Sequence, residues 1–77
     1  MGRKRTEIID FKESVGLVIF LTRRKKNLSL AQLAALSGIP ARQLDRYERG
    51  RSQFDLGALL QIARGLDVSF VTLLPGG

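Results

Sequence analysis

The chain contains neither cysteine nor histidine. The first absence rules out disulfide staples. Together they remove thiolate and imidazole as zinc ligands, nucleophiles or bases, and a cysteine-free chain fits a reducing compartment. Long apolar runs are missing too. The longest, residues 15–21 (VGLVIFL), has seven residues, against the roughly 20 that a spanning helix needs. Basic residues precede it as in a signal peptide, but so do Glu7, Asp10 and Glu13, and RRKK follows with no small-residue cleavage site. With no membrane or export signal, the expected location is the cytoplasm. Acidic residues are scarce, seven against thirteen Lys and Arg, for a net charge of +6. Such a surface attracts polyanions, nucleic acid foremost, although a small basic protein need not have a polyanion partner.

The 77 residues amount to one domain, near the lower limit for folding without staples. An apolar fraction of 44% supports a compact core. Catalysis finds no footing here. Beyond the missing His and Cys there are no paired carboxylates in a plausible cleft and no phosphate loop, since Gly57 and Gly65 lie in or beside a helix. No metal, cofactor or small-molecule site is expected.

What is present is concentrated in residues 28–50, LSLAQLAALSGIPARQLDRYERG. Ser29 and Gln32 have the S-x-x-Q spacing of a capping box, in which each satisfies a backbone N–H of the other. An apolar face follows at Leu30, Leu33, Ala34 and Leu36, and Gly38 stops the helix. A second helix is predicted over residues 40–49, with Pro40 suited to its first position and Gly50 ending it. Two short helices about a glycine turn make a helix-turn-helix candidate at about 29–49.

Around it the pattern predicts further helices. Residues 1–10 form an arm, basic at Arg3-Lys4-Arg5, and the domain proper runs over 11–77. The first helix is predicted over residues 11–26, although the run VGLVIFLT within it could pass for a buried strand by its β-branched content. No partner strand exists, however, and RRKK suits the negative end of a helix dipole. Asn27 closes this first helix. Asp55 caps a fourth over 56–65, where Leu56, Leu59, Leu60, Ala63 and Leu66 recur at helical spacing. A last turn or two spans 69–74, before Pro75-Gly76-Gly77 stops it.

These residues resemble the phage repressor/Cro-like helix-turn-helix domains, the large bacterial and phage group of xenobiotic-response-element type. The likeness runs from about residue 15 to 74. It is carried by Gly16, Ile19, Arg23 and Leu28-Ser29, then by Leu33-Ala34, Ser37-Gly38-Ile39, Leu44 and Tyr47-Glu48-Arg49-Gly50. Leu59-Leu60, Ile62-Ala63, Leu66, Val68-Ser69 and Leu73-Leu74 complete it. It implies an all-α, lambda-repressor-like bundle of five helices, whose third helix enters the DNA major groove while the second lies across the backbone.

On that geometry the base contacts fall to Ala41, Arg42, Gln43 and Arg46. Arg42 and Arg46 project from one face, and arginine suits guanine O6 and N7. Phosphate contacts fall to Lys26, Ser29, Gln32, Arg49, Arg51, Ser52 and Gln53. The resemblance also implies an ion pair between Glu48 and Arg23 that joins the first helix to the third and aims Arg23 at a phosphate. The basic arm either follows a groove or is a disordered tail.

The chain departs from the family at several positions. Leu30 stands where a phosphate-contacting polar residue is common, and Pro40 where a capping Ser or Thr is common. Leu17, Phe20 and Leu21 make the first helix apolar almost all round, and Val71 is apolar where relatives are polar. A helix apolar on every face should be covered on every face. Either Ile8, Ile9 and Phe11 fold back over it, the favoured expectation, or a protein partner does so. The function implied is a sequence-specific double-stranded DNA-binding regulator, a repressor, acting as a homodimer on an inverted repeat, with Phe70, Val71 and Leu74 in the dimer contact. The alternative is an antitoxin or interaction module that binds a partner protein through the first helix.

Overall fold

The computed structural model describes residues 3–74, with side chains from Phe11 onward. Its elements are α1 (Arg3–Lys25), α2 (Leu30–Ser37), α3 (Ala41–Glu48), α4 (Leu56–Leu66) and a 3-10 turn (Phe70–Leu73). The expected all-α architecture is present, but the count of five helices is corrected to four α-helices and one 3-10 turn among the described residues. The reason lies at the end of the turn. Leu74 precedes a proline, which disfavours the α region, and it is extended at φ −84°, ψ 139°. A stop at residues 75–77 lies outside the described residues.

α1 begins at Arg3 rather than near residue 11. Neither glycine nor proline interrupts residues 3–10, so nothing halts the helix there. The segment therefore continues the axis of α1 instead of folding back over it. Phe11, Leu17 and Leu21 remain 43%, 53% and 54% exposed. The side chains of Ile8 and Ile9 lie outside the described residues.

The core is assembled from one face of each element: Val15 and Ile19 of α1, Leu33 of α2, Leu44 and Tyr47 of α3, Ile62 and Leu66 of α4, and Leu73. α1 crosses the C-terminal end of α3 at Gly16. A Cβ there would meet the carbonyl oxygen of Tyr47 inside contact distance and that of Glu48 at 2.9 Å. Only a residue without a side chain permits this approach.

Three chain reversals share one hydrogen-bond pattern, the paired 6→1 and 5→2 closure of a Schellman turn. After α1, Leu28 donates to the Arg23 carbonyl and Asn27 to that of Arg24. After α3, Arg51 donates to Arg46 and Gly50 to Tyr47. After α4, Val68 donates to Ala63 and Asp67 to Arg64. Asn27, Gly50 and Asp67 supply the left-handed residue, at φ 59°, 69° and 58°. Between α2 and α3 a tighter turn uses Gly38 at φ 79°. There the Ser37 hydroxyl, buried, accepts the Ile39 N–H at 3.2 Å.

Candidate nucleic-acid interface

The two helices of the motif are held by polar contacts that reach back to α1. Arg23 Nε donates to Glu48 Oε2 at 2.7 Å and Nη2 to Oε1 at 2.9 Å, a bidentate pair. Its Nη1 donates to the Leu28 carbonyl at 2.8 Å. One side chain thus ties α1, the turn before α2 and the end of α3 together. The pair is largely enclosed, with side-chain exposures of 9% for Arg23 and 6% for Glu48. Hydrogen bonds donated to the Glu48 carboxylate hold the Arg23 guanidinium further toward its charged form, against the opposing cost of burial. Arg23, expected both to pair and to reach a phosphate, has Nε, Nη1 and Nη2 all engaged within the chain.

α2 opens with a complete capping box. Ser29 Oγ accepts the Gln32 N–H at 3.0 Å, and Gln32 Oε1 accepts the Ser29 N–H at 2.7 Å. Gln32 uses its carbonyl here, so its amide NH₂ is left to donate outward. α3 opens without a side-chain cap at Pro40, whose carbonyl accepts from Gln43 and Leu44.

The faces of α3 are divided. Leu44 and Tyr47 are buried and Glu48 points to Arg23, whereas Arg42 and Arg46 are exposed and Ala41 and Gln43 half-buried. Around them Lys26, Ser29, Gln32, Arg49, Arg51 and Gln53 are exposed and Ser52 half-buried. Two of these cations are already engaged. Arg49 Nε pairs with Asp45 at 3.1 Å on the surface, where such pairs contribute little. Arg46 Nε donates to Ser52 Oγ at 3.0 Å. The Asp45–Arg49 pair follows from a spacing of four, but the Arg46–Ser52 link is not predictable from the residues alone, nor is the stacking of Phe54 on Tyr47 at a centroid distance of 4.4 Å. The Ser-Gly pair at 37–38 does carry a signal for a hydroxyl-closed turn.

The residues expected to meet a partner separate into two groups. Leu17, Leu21 and Val71 are exposed, while Phe20, Phe70 and Leu74 are half-buried. Phe20 is partly sheathed by cations, with the Arg23 and Arg24 guanidinium carbons each 5.6 Å from its ring centre. Leu30 packs against the core and, with Leu17 and Phe20, lines a cleft of about 280 Å³ beside Asp45, Glu48 and Arg49. No group of His, Cys, Asp or Glu able to hold a metal occurs among the described residues.

A helix-turn-helix family model, HTH_3, matches residues 20–73. The chain belongs to this family, the Cro/C1-type helix-turn-helix proteins. Its members are DNA-binding transcriptional regulators, not enzymes. An HTH-type transcriptional regulator of Rickettsia conorii is 36% identical over 67 residues, covering 87% of this chain and 54% of the relative. A Sinorhizobium fredii regulator is 29% identical over 62 residues, 80% of this chain and 82% of its own. The chain spans about half the length of the two Rickettsia regulators it matches, 54% and 52%.

Among solved structures, the restriction-modification controller protein C.AhdI of Aeromonas hydrophila superposes with a TM-score of 0.78 at 31% identity, over 80% of this chain and 94% of that one. An HTH_3 family transcriptional regulator of Vibrio cholerae superposes at 0.82 and 32% identity, over 84% and 36%. No helix among the described residues is long and apolar enough to cross a membrane.

Proposed function

We propose that this chain is a sequence-specific regulator of transcription, a repressor, that lays α3 in the major groove of double-stranded DNA. The observation that carries the reading is the division of α3. One face is locked into the bundle through Leu44, Tyr47 and Glu48, and the other presents Arg42 and Arg46 to solvent one turn apart. Two arginines at that spacing suit guanines in one half-site, with Ala41 and Gln43 beside them. The N-terminus of α2, with Ser29 and Gln32, lies against a phosphate, where free N–H groups favour an anion. Lys26, Arg49, Arg51 and Gln53 add backbone contacts that set affinity and register rather than sequence. Arg23 acts as a positioning residue.

The protein works as a homodimer on an inverted repeat, its half-sites about one helical turn apart. The supporting surface is a cleft of about 340 Å³ lined by Leu60, Gln61, Ala63, Arg64, Val68 and Phe70, together with Val71, the residue after Phe70 in the chain, at 60% exposure. The C.AhdI superposition covers 94% of that controller protein at 31% identity, which supports the regulator reading. Selection of bound duplexes from a random pool at near-physiological salt tests the reading. An inverted repeat with guanine in each half-site is expected, weakened roughly tenfold or more in Arg42→Ala or Arg46→Ala. Salt-sensitive binding without an enriched sequence would overturn it.

A second reading, an antitoxin or interaction module, is favoured by the uncovered apolar face of α1 at Phe11, Leu17 and Leu21. Co-expression with the product of the adjacent gene tests it. A stoichiometric complex lost in Leu17→Ser/Leu21→Ser supports this reading, and its absence removes it.

A further inference from the structure

We infer that Ser52 is a positioning residue for base recognition: it holds the Arg46 guanidinium by Nε and anchors that side chain to a DNA phosphate. This rests on the reading of α3 as the base-contacting helix. The local chain path makes the placement specific. Gly50, at φ 69°, turns the backbone, and the Schellman pair from Gly50 to Tyr47 (3.0 Å) and Arg51 to Arg46 (2.9 Å) brings it back along α3. A Cβ at Gly50 would also lie 3.0 Å from Glu13 Cγ on α1, so the turn is wedged against a neighbouring helix. Two residues beyond Ser52, Phe54 stacks on Tyr47 with the rings 22° apart. Ser52 therefore sits between two anchors on α3, its Oγ 3.0 Å from Arg46 Nε.

The donor count fits a relay. A guanidinium has five N–H groups. Ser52 takes the one on Nε, and the four on Nη1 and Nη2 remain for the O6 and N7 acceptors of guanine. Ser52 Oγ accepts that bond, so its own O–H is left to donate, and a phosphate oxygen is an acceptor only. A line then runs from the DNA backbone through Ser52 to the guanidinium and on to the base edge. Arg46 is otherwise a flexible side chain able to swing onto a phosphate, which would bind any sequence equally. Holding Nε lowers the ordering cost of the base contact. Arg42, one turn earlier, has no such tether among the described residues, so the preference at Arg46's base pair depends on Ser52 and that at Arg42's does not.

The test compares parent, Ser52→Ala and Ser52→Thr in duplex selection and in titrations of single-base variants. The base pair read by Arg46 is identified as the one whose preference vanishes in Arg46→Ala. Ser52→Ala should lower affinity for all duplexes alike through the lost phosphate contact and cut the guanine preference there by roughly a further three- to tenfold. It should leave the base preference at the Arg42 position and the unfolding midpoint unchanged, and be rescued by Ser52→Thr. An unchanged guanine preference at that base pair, with or without a uniform loss of affinity, overturns the assignment while leaving α3 as the reading helix. No sequence preference in the parent overturns the α3 reading itself, and Ser52's role with it.

Discussion

At the scale of single residues, the Arg23–Glu48 pair is the most exacting feature of the chain. A bidentate ion pair with side-chain exposures of 9% and 6% has lost most of its hydration and recovers it only through geometry. Removing the carboxylate leaves a buried cation whose remaining hydrogen-bond partner among the described residues is the Leu28 carbonyl. Glu48→Ala is therefore expected to destabilise the protein by about 3–5 kcal/mol, read from urea unfolding monitored by helical circular dichroism. A loss below about 1 kcal/mol, the range of exposed pairs, would mean that the pair is solvated in solution. The expected failure is structural first, because the pair is what aligns α1 with α3, and any loss of DNA binding in this variant follows from the loss of alignment.

At the scale of elements, helix starts and stops decide how much is specified locally. Ser29→Ala removes the hydroxyl that accepts the Gln32 N–H. It should lower stability by about 1 kcal/mol and weaken DNA binding at all sequences alike, since a phosphate contact does not read bases. Unfolding curves together with titrations of cognate and scrambled duplexes separate the two effects. Such caps also make the motif legible in the amino-acid sequence. α2 and α4 announce themselves through Ser29 with Gln32 and through Asp55, whose carboxylate accepts the Ala58 N–H at 2.7 Å.

α1 does not announce its start. Arg3, Lys4 and Arg5 stand at the positive end of the helix dipole, where cations are unfavourable, and no capping residue marks the boundary. Its continuation back to Arg3 is visible only as the absence of a breaker. The final 3-10 turn is legible as helical, but not in its pitch, which the proline after Leu74 limits. On the candidate interface, Arg42 and Arg46 follow from a spacing of four, a local property. The Arg23–Glu48 pair spans 25 positions and follows from family resemblance, not from any pattern in the chain. The Ser52 tether depends on the direction in which a left-handed residue returns the backbone, which residue types alone do not define.

At the scale of the whole molecule, the question is how so small a body gains a long site. One copy measures 42 × 24 × 21 Å, and a single eight-residue α3 spans only a few base pairs. Doubling the site requires a second copy. Val71→Asp, on a surface residue 60% exposed, should convert the proposed dimer to a monomer in sedimentation equilibrium. It should also reduce affinity for the full repeat to nearly that for an isolated half-site, with the monomer's unfolding midpoint retained. A monomeric parent would overturn the dimer reading, and a Val71→Asp variant that stays dimeric would place the contact elsewhere. A different consequence follows from the way α3 divides its labour. The side chains that hold the helix in place, Leu44, Tyr47 and Glu48, are not the exposed arginines at 42 and 46. Foldability and target preference are thus inherited on separate positions of the same short segment. On the proposed reading of α3, a lineage can drift to a new operator by changing these outward residues without passing through an unfolded ancestor, and the same few positions are where a specificity could be transplanted from one member to another.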